Sequence, residues 1–302
     1  MPGTLRAVND EDGAAQRAQR AAAGRVPRPA AGDRETEDEQ LVDALADVWG
    51  SIDSVCDRLT EAQWKTETEC PGWSVQDNVS HIVGLEATIL GRPDPDHAPP
   101  DLPHVKNDIG KRNEVWVDAL RSHSGAEVLA ELREVTGERL RALRAMSGDD
   151  FGAESWTPVG PGTVRDLLPF RVFDSWAHEQ DMRRALGVPG GTAGPAAHLA
   201  LARILSTLGF VVGKKVAPGD GTTVVFDYDG NATAIGVDGE RARSLDDVPD
   251  DPTVRLTMDV DTLVRLSCGR GDPDEIVDSG AVRITGDKQL GRRVAQEMNF
   301  LF

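Results

Sequence analysis

Cysteine is scarce in this chain: 302 residues hold three, Cys56, Cys70 and Cys268. An odd count at wide spacing gives no disulfide framework. Without a Cys-x-x-Cys pair there is no thiolate zinc cage either. Positive charge is also short, with 33 Lys and Arg against 51 Asp and Glu, a net −18. A surface that negative repels phosphate backbones and anionic lipid, which argues against nucleic acid and membrane as partners. It says nothing about small ligands, which respond to a local field. Long apolar runs are missing. The longest, Leu208 to Gly213, falls far short of the ~20 residues that span a bilayer. The first residues lack the apolar core of a secretory signal, and the chain reads as cytoplasmic. Neither a GxSxG elbow nor a Gly-rich phosphate loop occurs, so no motif supports serine-hydrolase or phosphate-cradle chemistry.

What is present fits a soluble globular protein of about two domains, with 39% hydrophobic and 28% charged residues. Residues 1–35 are Ala, Arg, Gly, Asp and Pro with almost no large apolar side chains, a composition that predicts disorder. From 36 to 187 the pattern is helical. Leu41, Leu45, Val48, Trp49, Ile52, Val55 and Leu59 recur at three- and four-residue steps. "SVQDNVSHIVGLEATILG" opens with Ser74 and Asp77, "TVRDLLPFRVFDSWAHEQDMRRAL" with Thr163 and Asp166, each close to a capping box. Pro169 falls about two turns into the latter. With the helical stretches between them, these predict a helix bundle. After Gly187 comes a Gly-Pro linker and then, within 188–302, a helix from Ala196 to about Val216. The strands "TTVVFDY", "ATAIGV", "TVRLTM" and "AVRITG" follow, with a short helix and a closing helix, giving an α+β domain with a mostly antiparallel sheet. The closing "NFLF" is expected to dock on the body.

The chemistry concentrates in "FDSWAHEQD" (173–181), where acids and imidazole alternate with large aromatics. Asp174 and His178 stand four apart, so on a helix both project from one face and can share one metal ion. A third ligand must come from elsewhere, and His81, among the apolar residues Val75, Val79, Ile82, Val83 and Leu85, is the best placed. Asp181 shares the face of Asp174 and His178 and can hydrogen-bond a ligand histidine. Trp73 and Trp176 wall such a site or fill the core. His97 and His104 lie in a Pro-rich loop and read as solvated. Taken alone, each of these residues also has a bland reading as core histidine or helix-surface pair.

"ECPGWSVQDNVSHIVG" followed by "RVFDSWAHEQDMRRALG" resembles the mycothiol-dependent maleylpyruvate isomerase family, part of the DinB-like four-helix metalloprotein superfamily. The resemblance covers about 38–187; residues from about 195 on resemble the sterol-carrier-like C-terminal domain of many members. It implies a DinB-like four-helix bundle followed by a smaller sterol-carrier-like α+β domain. It also implies one divalent metal, usually zinc, on His81, Asp174 and His178, with mycothiol as thiol cosubstrate. Members can carry glutamate where Asp174 stands. Arg270, in "SCGRGD", or Arg183 is then the cation expected to meet an anionic substrate. Many such bundles dimerise. Isomerisation and S-transfer to a small electrophile are both compatible. A non-catalytic binding module with a structural or absent metal, and a hydrolase using zinc-bound water, stand as alternatives.

Overall fold

The computed structural model describes residues 31–301 apart from position 240, with side chains from Thr36 onward. The expected disorder of residues 1–35 therefore lies, for 1–30, outside the described residues. The chain divides into two compact units. One holds the residues up to Ser155 together with Thr163–Ala200; the other holds Trp156–Gly162 and the residues from Leu201 on.

The first unit is helical. Its elements are α1 (Ala31–Cys56), α2 (Glu61–Trp64), α3 (Val75–Ile89), α4 (Asp108–Leu120), α5 (Gly125–Arg144), α6 (Gly148–Phe151) and α7 (Val164–Leu186). Helix α1 packs on α5 and α7, and α3 packs on α4, α5 and α7. The apolar stripe of α1 is buried as its spacing predicts from Leu41 to Ile52, but Cys56 takes the last core position, Val55 is half-buried, and Leu59, also half-buried, lies beyond the helix end. Trp49 Nε1 donates to Ser175 Oγ at 3.1 Å and ties α1 to α7. Helix α3 departs from a one-sided stripe. It has neighbours on several sides, so every residue from Val75 to Gly84 is buried, while Leu85 is half-buried and Glu86 fully buried.

Both predicted capping boxes are present. Ser74 and Asp77, and Thr163 and Asp166, exchange reciprocal side-chain and backbone hydrogen bonds. Each cap is worth about 1 kcal/mol. Helix α7 runs unbroken through Pro169, giving up one rung of its ladder. It ends on Gly187 in the left-handed conformation (φ 65°), with Arg183 and Arg184 in its last turn.

The second unit carries a five-stranded mixed sheet in the order β5-β4-β3-β6-β7. Its strands are β3 (Thr223–Tyr228), β4 (Asn231–Asp238), β5 (Arg241–Ser244), β6 (Val254–Met258) and β7 (Arg283–Gly286). Only β3 and β6 run parallel. The β3–β4 hairpin closes on Asp229 and Gly230, both at positive φ (45° and 80°), as a two-residue primed turn demands. Strand β5 lies in "RARS", which has no β-rich signal, and sequence reading misses it. It also misses the hairpin of β1 (Glu154–Thr157) and β2 (Gly160–Thr163), whose second strand, "GPGT", has the composition of a turn.

Helix α8 (Pro195–Phe210) continues into a π-helical turn, Val211–Val216. Together they make a 22-residue helix in which an 18-residue stretch reaches a mean hydropathy of 1.6, long and apolar enough to cross a membrane by length and composition. Counting uninterrupted apolar residues overlooks it, because scattered His, Arg, Thr and Lys break the run without lowering the mean far. Its Ile204, Leu208, Val211, Val212 and Val216 are buried, as in the core helix of a globular unit. Helices α9 (Val260–Ser267), α10 (Pro273–Asp278) and α11 (Lys288–Glu297) complete the unit. Phe300 is buried and its N–H donates to the Ser267 carbonyl, so the closing segment docks through Phe300, while Phe302 lies outside the described residues.

Candidate metal centre

The segment before α3 is a tight turn with its own logic. Trp73 N–H donates to the Cys70 carbonyl across Pro71 and Gly72. Proline at the second position and a positive-φ glycine (77°) at the third are the signature of a type II turn. Gly72 is required twice over, since a Cβ there would sit 2.3 Å from His104 Nδ1. The turn delivers Trp73 into the bundle, where its ring centroid lies 4.9 Å from that of His81 and 5.5 Å from that of His178. The two imidazoles meet edge to face at 4.8 Å.

Helices α3 and α7 bring His81, Asp174 and His178 together. One donor atom from each lies within 4.8 Å of the other two. His81 Nε2 is 3.4 and 3.3 Å from the two Asp174 oxygens, and His178 Nε2 is 3.8 Å from Oδ1. Both histidines are buried. Burial pushes the His81 pKa below its ordinary 6.5, although Asp174 pulls the other way. The ring is therefore neutral near pH 7, with a lone pair to offer. Burial works to raise the Asp174 pKa, but Arg171 and His81 override it and hold the carboxyl well below the usual range.

The tautomer of His178 follows from its neighbour. Asn78 Nδ2 donates to the Ser74 carbonyl and to Thr68 Oγ1, which fixes the amide orientation. Its Oδ1 then faces His178 Nδ1 at 2.6 Å and can only accept. His178 carries its proton on Nδ1, so the lone pair is on Nε2, toward His81 and Asp174. Asp181, as predicted from spacing, stands beside the same Nδ1 at 3.5 Å and accepts from Arg184. Two nitrogens and a carboxylate on rigid helices are a donor set that suits a divalent cation such as zinc.

Behind Asp174 runs a buried chain of charges. Arg171 Nη1 donates to Asp174 Oδ2 at 2.9 Å and its Nε donates to Glu86 Oε1 at 2.7 Å; Arg139 Nε reaches Glu86 Oε2 at 3.3 Å. On the other side, Trp73 Nε1 donates to Glu114 Oε1 at 2.6 Å, and His104 Nε2 shares that oxygen at 2.7 Å. His104 is thus not the solvated loop residue its sequence context predicts. It pins the Pro-rich loop against the turn that holds Trp73. Sequence reading also passes over Asn78, Glu86 and Arg171. The only local signal for them is a polar residue on a face otherwise fit for burial.

Arg183 engages Glu179, Ser51 and the Val188 carbonyl, partners outside the His81 group. Arg270 belongs to the other unit, is buried, and donates from Nη1 to the Cys268 carbonyl. Of the predicted site residues, then, the structure brings together His81, Asp174, His178 and Asp181. Trp176 is core, with Nε1 donating to the Gly191 carbonyl at 2.6 Å.

Residues 45–183 match the family profile of the mycothiol maleylpyruvate isomerase N-terminal domain. The helical bundle belongs to that family. Residues 197–299 match the SCP-2 sterol transfer family. The chain is similar in fold to a solved structure of the mycothiol-dependent maleylpyruvate isomerase, at 16% identity and TM-score 0.54, with 82% of this chain and 92% of that one covered. A histidine-to-alanine variant of that enzyme gives 15% identity and TM-score 0.53 over the same shares. No curated protein matches the chain. The two-domain order of the isomerase-like fold, bundle first and sterol-carrier-like domain second, is the order expected from sequence.

Proposed function

We propose that the bundle holds one divalent cation, zinc by its donor set, between His81, Asp174 and His178, and uses it on a low-molecular-weight thiol, mycothiol. The reaction is then a maleylpyruvate-type cis–trans isomerisation or S-transfer to a small electrophile. The observation that carries this reading is the His178 tautomer: Asn78 and Asp181 hold the Nδ1 edge, leaving Nε2 free to face the two other donors. Family membership of the bundle and similarity to the isomerase structures support the thiol and the isomerase class.

A bound divalent cation would supply Lewis acidity that deprotonates a thiol at neutral pH. The chain's own residues do the rest. Arg171 occupies one oxygen of Asp174 and turns the carboxylate so that the other is offered to a cation. His81, neutral near pH 7, and His178, with Nε2 turned to the group, each present nitrogen. The Trp73 ring covers both imidazoles and keeps bulk water off them. Asp174, half-buried where its neighbours are buried, marks the side from which a small molecule reaches the group.

Elemental analysis of the purified protein beside a His81→Ala, His178→Ala variant tests the proposal. Near-stoichiometric zinc in the parent and little in the variant is the expected result, followed by thiol turnover with mycothiol in the parent only. A parent that takes up no zinc on addition would overturn it and favour a binding module.

A further inference from the structure

His178 has a second edge, and it is also lined with donors. On the Nδ1 side, Asp181 Oδ2 lies 3.5 Å away. Cys70 completes a group with His178 and Asp181 in which one donor atom from each lies within 4.8 Å of the others. All three are buried: Cys70 is 9% exposed, His178 7% and Asp181 1%. The thiol comes from the type II turn, where it clusters with Trp73 and Val117. The turn therefore supplies both the wall of the first site and a sulfur atom on the far edge of the shared imidazole.

We propose that Cys70, His178 and Asp181 form a second cation seat, taken by a thiophilic divalent ion such as cadmium or excess zinc. This goes beyond the function proposed above; the seat itself stands on its own donors, and its competition with the first seat rests on that reading. Sulfur, nitrogen and carboxylate oxygen form a softer donor set than the two nitrogens and one oxygen of the first seat, so thiophilic ions gain most there. Binding releases the thiol proton to solvent, because a coordinating thiol is deprotonated.

The two seats compete for one ligand. A neutral imidazole has a single lone pair, and Asn78 places it on Nε2. A cation at Cys70 needs it on Nδ1. The ring proton then moves to Nε2, and the bond to Asn78 is lost. Occupation of the second seat therefore removes a ligand from the first. A thiophilic ion in excess acts as an inhibitor built on the same histidine.

Cadmium titration of the metal-free full-length protein, followed by ultraviolet sulfur-to-cadmium charge-transfer absorption, tests this. Parent, His81→Ala and Cys70→Ser are compared. Weakening the first seat frees His178, so the band is expected to saturate at lower cadmium in His81→Ala than in the parent. It is expected to be lost in Cys70→Ser. Equal bands in parent and Cys70→Ser would assign the absorption to Cys56 or Cys268 and overturn the proposal, as would no band in the parent at excess cadmium. Should His81→Ala fail to fold, the parent and Cys70→Ser spectra still decide. Zinc uptake by Cys70→Ser reports the first seat separately: if that variant and the parent both bind no zinc, the proposed function fails whatever the cadmium band does.

Discussion

The two units build their interiors from different materials. The sheet unit buries Val224, Val225, Phe226, Ile235, Val254 and Leu256 between strands and helices, and among its described residues Arg270 is the buried side chain that carries a charge at neutral pH. The helical unit buries Asp77, His81, Glu86, Glu114, Arg139, Arg171, His178, Glu179 and Asp181. Apolar burial near 25 cal/mol per Å² is a sufficient reason for the first interior. It is no reason for the second. Each buried charge there must be matched by a partner or it destabilises the fold. Partners match most of these charges, and at Asp174, held by Arg171, the donors for a cation converge.

The contrast is sharpest in what substitution does. Glu86 pairs with both Arg171 and Arg139 from within α3, and Arg171 pairs with Asp174 as well. Glu86→Ala should cost about 3–5 kcal/mol by urea unfolding, since it strands the buried Arg139 guanidinium and leaves Arg171 with Asp174 alone. Leu256→Ala in the sheet unit should cost about 2–5 kcal/mol through its cavity. A Glu86→Ala loss under about 1 kcal/mol, or its full recovery in high salt, would mean that water reaches these charges and the contrast is wrong.

Acid should act on the helical unit. His81 titrates below its ordinary 6.5 in the folded chain, so just below that pH the unfolded chain binds more protons than the native one. Stability of the metal-free protein must therefore fall as pH drops below about 6.5, by up to ~1.4 kcal/mol per unit of pKa difference. Asp174, held well below 3.8, adds a further loss beneath that pH, in the same direction. His81→Gln should remove the upper part of the decline and leave the lower. An unchanged profile would show that His81 titrates alike in the folded and unfolded chain.

Smaller effects refine the picture. Ser74→Ala removes the cap that starts α3 and should cost about 1 kcal/mol in thermal unfolding. Asp77 partly compensates by keeping its ion pair with Arg121. Smallest of all, Cys56 should resist alkylation in the native protein at pH 8, because burial and neighbouring carboxylates push its thiol up to about 12. Rapid labelling of Cys56 would place it outside the core of α1.

How much of this was legible follows the distance over which each feature acts. The capping boxes and the Asp174–His178 pair span three to four residues, and local spacing reveals them. His81 is marked by its place among the apolar residues of α3, and the family resemblance points to the same residue. Residues whose partners lie far along the chain stayed hidden. Glu86 reads as a surface acid until Arg171, 85 positions later, is seen beside it. His104 looks solvated until Glu114 and Gly72 are placed around it. Helix α3 shows a stripe in sequence because periodicity records one preferred face and cannot say how many neighbours a helix will have.

The π-helical turn at 211–216 carries a consequence for how the chain tolerates change in length. Ala217 N–H reaches back to the Val212 carbonyl, five residues away, so the segment stores one residue more than an α-ladder needs. Losing a residue inside this turn can be absorbed by tightening it to α. Losing one at Ile204 would rotate the helix face by about 100° against its neighbours. Deletions that survive in this helix are therefore expected to gather in those six positions, making the turn a slack link between two segments whose registers are otherwise fixed by what they bury.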